Sequence, residues 1–293
     1  MRKLRLATRA SALALWQANW VASGLRGNGH EVELVKVETQ GDRDTRPFRE
    51  MQGQAFFTKA VQDTLLDGQA DLAVHSYKDL PSARHERLVI AAVPERAPSH
   101  DVLLINPERH DPDGGPLPLR PGARVGTSAA RRRAQLTALR PDLQALDLRG
   151  NVETRIGKLR NSDYDAIVLA AAGLSRLQLG LDDLIVVNLA TDVFLPAPAQ
   201  GALALECRHD DPGVIAALAA LNDPEAALAV SAERGLMARL DGGCQLALGA
   251  NARLDAGRIT LSAWYEGKQV SASGATPDEA IETVFAAISG GAG

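Results

Sequence analysis

Apolar positions recur along this chain in two rhythms that alternate with one another. "EVELVKVET" (31–39) alternates apolar and polar residues, as a strand with one buried face does. "KLRLAT" (3–8) predicts a shorter strand, and Ser11 then stands as the N-cap of a helix from Ala12 to about Arg26, closed by "GNG". A polar loop (40–53), a helix near Thr58–Leu66, a buried strand "ADLAVHS" (70–76), the turn "YKDLP" and a strand "RLVIAAV" (87–93) follow. The pattern then repeats: strand 100–106, a Pro/Gly-rich surface loop (107–122), strand 123–127, and a basic helix capped by Ser128 and running to about Leu139. Strand 143–150, the helix "NVETRIGKLR", strand 164–173 leading into a helix, and strand 183–189 complete this block. After "LPAPAQG" come the strand "ALALECR", Ala-rich helices at roughly 213–221 and 224–240, two strands near 246–254 and 258–265, a turn, and a last helix from about Pro277 to Ile288. Alternating strands and helices predict two α/β domains with largely parallel sheets, and the tail predicts a smaller α+β domain.

Length and composition fit that division. A chain of 293 residues, 45% hydrophobic, has material for about two domains, or three small ones. Mean hydropathy is −0.10 and no apolar run reaches the ~20 residues of a membrane span. The N-terminus has basic then apolar residues, as a signal peptide does. Arg9 interrupts the run, however, and Trp16, Gln17 and Asn19 stand where small residues would mark cleavage, so the segment reads as a strand and helix of a cytoplasmic protein. Six scattered histidines and two cysteines offer no metal-ligand spacing, and no metal is expected. Net charge is −4, yet the basic residues are mostly Arg, with six Lys. The basic helix "ARRRAQLTALR" has neither a basic chain nor a helix-turn-helix frame around it, so no nucleic-acid partner is expected.

Arg also holds carboxylates with a bidentate fork. "ATRAS" (7–11), "VGTSAARRRAQ" (125–135) and "LRGNVETR" (148–155) each place Ser, Thr or Arg where a strand ends and a helix begins. Helix N-termini attract anions, and ligands of doubly wound sheets sit beyond the carboxyl ends of strands. Arg9, Arg131, Arg132, Arg149 and Arg155 fall at such places, although a lone Arg at a helix start is ordinarily solvated. "AVHSYKDLP" (73–81) delivers His75, Ser76, Lys78 and Asp79 from an apolar strand into a turn. Asp79 there either satisfies its own backbone or projects a carboxylate into a cleft, to stabilise a cation or shuttle a proton. In "RLDGGCQLALG" (239–249), Cys244 follows two glycines: it is either a small buried hydrophobe or a reactive thiol. Cys207, inside an apolar strand, fits the first description.

Taken in order, "LRLATRASALALWQ", "ADLAVHSYKDLP", "RVGTSAARRRAQL", "LDLRGNVETR", "LPAPAQGALALECR" and "LDGGCQLALG" resemble the porphobilinogen deaminase (hydroxymethylbilane synthase) family over nearly the whole chain. The resemblance implies two periplasmic-binding-protein-like domains with a hinge and a small α+β C-terminal domain: 1–98 with 197–218, 99–196, and 219–293. It implies a transferase that joins four porphobilinogen molecules head to tail, with loss of ammonia, on a covalent dipyrromethane primer, and then hydrolyses off hydroxymethylbilane. Cys244 would carry the primer through a thioether and Asp79 would be the catalytic carboxylate. Lys59, Lys78, Ser128, Arg131, Arg132 and Gly150 would contact the cofactor. Arg9, Ser11, Arg149, Arg155, Arg176 and Gln200 would contact substrate, and Arg132 and Arg149 would face a wet cleft. A cytoplasmic monomer acting on a small molecule, with no membrane partner, is implied.

The chain departs from the family pattern at "QGQAFFTKA" (52–60), where Gln54 and Ala55 replace Lys and Gly while Lys59 is kept, and at Ala129, where a second serine is usual. Two rival readings use the same residues. A non-enzymatic anion receptor of this fold would need neither Asp79 nor Cys244. An enzyme with a cysteine nucleophile would want a histidine partner, and none lies near Cys244 in sequence.

Overall fold

The computed structural model describes residues 3–38, 58–240 and 246–290. The first α/β unit contains β1 (Leu4–Arg9), α1 (Ala12–Gly27), β2 (Val32–Val37), α2 (Lys59–Leu66), β3 (Leu72–Ser76) and β4 (Leu88–Ala92). The chain then crosses to a second unit with β5 (Asp101–Ile105), β6 (Arg124–Gly126), α3 (Ala130–Leu139), β7 (Gln144–Leu146), α4 (Val152–Arg160), β8 (Ala166–Ala170), α5 (Ala171–Leu177) and β9 (Ile185–Leu189). It returns through β10 (Leu203–Arg208) and α6 (Pro212–Ala219) to the first.

The two sheets share one plan. Their orders are β2-β1-β3-β10-β4 and β7-β6-β8-β5-β9, so the fourth strand of each comes from the crossing segment. That strand is the reversed one: β10 runs antiparallel to β3 and β4, and β5 antiparallel to β8 and β9. The expectation of largely parallel sheets is corrected at these two strands. A chain leaving one sheet at its carboxyl edge meets the facing sheet at that sheet's carboxyl edge, and so must enter it backwards. The carboxyl ends of both sheets therefore face one cleft, where ligands of such sheets bind.

Central strands β3, β5, β8 and β10 are buried almost throughout, as strands covered on both faces must be. Leu6, Leu25, Leu72 and Leu205 anchor the core beneath α1 and α6. Leu103, Val125 and Val168 form one core of the second sheet, and Leu104, Ile156 and Ile167 the core on its other face.

The third unit packs α7 (Pro224–Arg239) and α8 (Pro277–Ser289) on the antiparallel sheet β11 (Gly249–Asp255), β12 (Arg258–Tyr265), β13 (Lys268–Gly274), around Leu236, Leu261 and Val284. The third strand is absent from the sequence reading, which placed only a turn before the last helix. "KQVSASG" lacks an apolar stripe; it is held by ladder pairing with β12 and by hydroxyl pairs Thr260–Ser273 and Ser262–Ser271. Among the described residues, no single helix is long and apolar enough to cross a membrane.

Glu233 on α7 joins the units. It is fully buried and takes Arg96 Nη1 and Nη2 at 2.7 and 2.9 Å, Ala199 N at 2.6 Å and Ala252 N at 2.7 Å. Arg96 and Ala199 belong to the two crossing segments. Where these run side by side, Gly201 (φ +88°) approaches the Ala97 carbonyl so closely that a Cβ would collide with it.

Candidate active site

The carboxyl end of β3 runs into a 3-10 turn, Tyr77–Asp79, closed by Leu80 N donating to the Tyr77 carbonyl. This exposes Asp79 at a pocket lined also by Arg9 and Ser11 from the β1–α1 junction, by Gln17, and by Thr58 and Val61 from α2. Ser11 caps α1 as expected, its Oγ accepting from Ala14 N.

Across the cleft, Arg131 and Arg132 open α3 and are both buried. They converge on Asp101 at the start of β5: Arg132 Nη2 donates to Oδ1 at 2.7 Å, and Arg131 Nη2 lies 2.8 Å from Oδ2. Gln200 Nε2 donates to the same Oδ1 at 2.9 Å, and Gln200 Oε1 accepts from Lys78 Nζ at 3.2 Å. This chain of contacts links the Asp79 turn to the second sheet. Burial alone would push the Asp101 carboxyl up, but the two guanidiniums hold it well below the usual carboxylate range.

The segment "LRGNVETR" supplies the next cations. Asn151 caps α4 through Thr154 N at 2.8 Å, and Gly150, at φ +113°, makes the turn before it. A side chain at Gly150 would strike Thr154 as well as strain the backbone. Arg155 Nε donates to the Gly150 carbonyl at 2.8 Å. Burial first, and then Arg132, lower the Arg155 pKa to about 10, against the opposing pull of Asp79. Burial likewise lowers Lys78 to about 8, with Arg132 and Arg131 adding repulsion and Asp79 and Asp101 opposing it. Lys78, Arg131, Arg132, Arg149 and Arg155 thus share one electrostatic neighbourhood with two carboxylates, Asp79 and Asp101. Among the described residues of this cluster, five cations stand against two anions, an excess of three positive charges.

Residues 4–216 match the family described as porphobilinogen deaminase, dipyromethane cofactor binding domain, and residues 227–269 match porphobilinogen deaminase, C-terminal domain. The chain belongs to the porphobilinogen deaminase family. A porphobilinogen deaminase of Trichlorobacter lovleyi is 44% identical over 94% of this chain and 89% of its own length. That of Geobacter sulfurreducens is 45% identical over 89% of this chain and 81% of its own. Among solved structures, the periplasmic VFT2 domain of Bordetella pertussis BvgS is similar at a TM-score of 0.46 and 16% identity, over 80% of this chain and 92% of that one. The activity of a porphobilinogen deaminase is the assembly of hydroxymethylbilane from four porphobilinogen molecules on a dipyrromethane cofactor.

The cleft fits that cofactor. Each of its two rings carries an acetate and a propionate, four carboxylates that would offset the surplus of buried positive charge. The buried Nε of Arg131 and of Arg132 also lack a hydrogen-bond partner among the described residues.

The structure places four of the expected site groups as follows. Ser128 does not cap α3: Ala129 occupies that position and caps nothing, while Ser128 Oγ donates to the Leu148 carbonyl at 2.9 Å and accepts from Leu148 N at 3.0 Å, tying two cleft loops together. Lys59 is exposed on α2, where its Nζ pairs with Asp63 at 3.0 Å, and it is not among the pocket residues. Arg176 is buried, donates to the Gly201 carbonyl at 2.8 Å and lies over the Trp16 ring, and burial lowers its pKa to about 10. Arg131 and Arg132 are likewise buried on Asp101 rather than solvated. Cys244, Gln54 and Ala55 lie outside the described residues.

Three residues escaped the sequence reading. Asp101 opens the apolar run "DVLLI", where an acid at the head of a fully buried strand was the available signal. Arg234 sits in the apolar helix α7, and its partners are backbone carbonyls that no sequence pattern marks. Thr58 passes for an ordinary helix cap.

Proposed function

We propose that Asp79 is the catalytic carboxylate of this porphobilinogen deaminase and that the surrounding cations hold the carboxylates of the pyrrole chain. The observation that carries this reading is the meeting of Lys78, Arg131 and Arg132, through Gln200 and Asp101, beside the turn that presents Asp79. Dipyrromethane, bound through a thioether to Cys244, would supply the free α-carbon to which the first new ring is joined. Arg131, Arg132 and Lys78 hold its carboxylates, Ser128 and Gly150 shape the loops beside it, and Arg9, Ser11, Arg149 and Arg155 receive those of the incoming porphobilinogen. Gln200 joins Lys78 to Asp101 and keeps the two sides of the cleft in register. Arg176 supports the crossing segment at Gly201.

When the C–N bond of porphobilinogen breaks, ammonia leaves with the electron pair and the pyrrole becomes a cation. Asp79 at about 4 Å, with an effective dielectric constant of about 20, stabilises that charge by roughly 4 kcal/mol, on the order of a thousandfold in rate. The charge exists only as the bond breaks, so the contribution falls on turnover rather than on binding. The chain divides at 98/99 and 196/197, where the crossing segments run, and again at 218/219, and it acts as a cytoplasmic monomer.

Two measurements test the reading. The intact mass of purified protein should exceed the chain mass by two substituted pyrroles, and porphobilinogen should yield four ammonia per hydroxymethylbilane. A bare chain mass together with no ammonia release would favour an anion receptor of the same fold.

A further inference from the structure

Thr58 immediately precedes α2 and is 2% exposed. A threonine in that position ordinarily turns its hydroxyl back onto an amide of the first helical turn. Here the backbone is at φ −108°, ψ −32°, not extended, and the side chain caps nothing. Its Oγ1 is buried and has no hydrogen-bond partner among the described residues. Native proteins rarely leave a buried hydroxyl in that state without a use for it.

Thr58 is one of the residues that line the pocket Asp79 overlooks. Neighbouring polar groups are already engaged. His75 Nε2 is 3.0 Å from Glu206 Oε2, Glu206 Oε1 accepts from Gln62 Nε2 at 2.9 Å, and Gln17 Nε2 donates to Ser76 Oγ at 2.9 Å. The residues that immediately precede α1 and α2, Ser11 and Thr58, both line this pocket. Two helix N-termini together with Arg9 favour an anion in this pocket, and Asp79 lines the same pocket. Porphobilinogen carries groups for both: carboxylate side chains on the ring and an aminomethyl group that leaves as ammonia.

We propose that the Thr58 hydroxyl donates a hydrogen bond to a side-chain carboxylate of the incoming porphobilinogen, holding the ring with its aminomethyl carbon toward Asp79. The inference rests on the function proposed above. It makes Thr58 a substrate-binding residue beside Arg9 and Ser11.

The test compares cofactor-loaded wild type, Thr58→Val and Thr58→Ser. The probe is a pyrrole that carries acetate and propionate but no aminomethyl group, alongside porphobilinogen turnover. Valine keeps the shape and removes the hydroxyl. Thr58→Val should weaken probe binding and raise KM about tenfold or more, the usual worth of a hydrogen bond to a charged group, with kcat little changed. Its thermal midpoint should equal or exceed that of wild type, because an unsatisfied buried hydroxyl is gone. Thr58→Ser should bind the probe nearly as wild type does. Wild-type affinity and KM in Thr58→Val would overturn the proposal, as would a weakening that follows a lowered midpoint and persists in Thr58→Ser. Ammonia release by the wild type tests the parent function separately, since probe binding needs no turnover.

Discussion

Arg234 places its guanidinium over the ring of Tyr77, 4.7 Å from the centroid, and donates from the same head group to the carbonyls of Tyr77, Leu80 and Pro81 at 3.2, 3.1 and 2.6 Å. The turn that presents Asp79 is thus held from outside its own sheet, by the third unit. Helix α7, which bears Arg234, also leads into the segment containing Cys244.

Arg234→Lys should therefore damage catalysis without touching the ligand. A lysine offers one point charge where a planar fork now serves three carbonyls and a ring. The expected cost is about 2–3 kcal/mol of stability, from carbonyls left unsatisfied, and about tenfold in kcat with KM nearly constant. Denaturant titration and steady-state kinetics check this. Normal kcat in a destabilised Arg234→Lys would make the residue purely structural.

Arg132 and Arg133 are neighbours on α3 with opposite expectations. Arg132 is 6% exposed and shares buried Asp101 with Arg131, whereas Arg133 pairs with Asp147 at the surface. Arg132→Leu should lose about 3 kcal/mol of stability, because Asp101 keeps its charge and loses a partner, and turnover should fall severely. Arg133→Leu should change stability by about 0–1 kcal/mol and leave activity intact. Equal stability losses in the two variants, measured by denaturant titration, would remove Asp101 from this account.

The contrast shows what the sequence could reveal. Strand and helix order was legible because periodicity follows from each element's burial, and strand ends pointed to the cleft because backbone N–H groups and arginines collect there. Whether Arg131, Arg132 and Arg176 are wet or buried was not legible. It depends on Asp101, Leu195 and Gly201, which lie 25 to 64 residues away and meet them only through the crossing segments. Strand β13 escaped for a related reason: its stability comes from pairing with β12, and its own small polar residues carry no stripe.

Lys78 gives a pH signature. Burial lowers its folded pKa to about 8, below the unfolded value near 10.4. Below pH 8 both states are protonated and the difference is constant. Between about pH 8 and 10.4 the unfolded chain binds more protons, so stability contributed by this group rises with pH. In apoprotein, the stability of wild type relative to Lys78→Met should accordingly be flat below pH 8 and climb through that window. A flat difference up to pH 10.4 would show an ordinary, solvated amine.

The two cysteines should separate in peptide mapping. Cys207 is buried in β10, and burial pushes its thiol up to about 11, which leaves it protonated and unreactive at neutral pH. Cys207→Ala should retain the added mass of the cofactor, and Cys244→Ser should lack it. Pyrrole mass on a peptide containing Cys207 would reverse the assignment.

Asp79 is the sharpest case. It is exposed at the pocket mouth, on a turn fixed by Arg234, with Lys78 and Arg155 as electrostatic neighbours. A carboxylate there can stabilise the pyrrole cation that forms as ammonia departs. Asp79→Asn preserves volume and hydrogen bonding but not charge. Fold stability should change by less than about 1 kcal/mol, as for an exposed group outside the core. Turnover should fall at least about a hundredfold, within the range for a positioned charge, and KM should change little, because the lost interaction forms only as charge develops. Single-turnover ammonia release, from enzyme shown by mass to hold its cofactor, isolates that step from cofactor loading. A wild-type rate in Asp79→Asn would place the catalytic carboxylate elsewhere. Asp101 would be a poor substitute, since both of its oxygens are already committed to Arg131, Arg132 and Gln200.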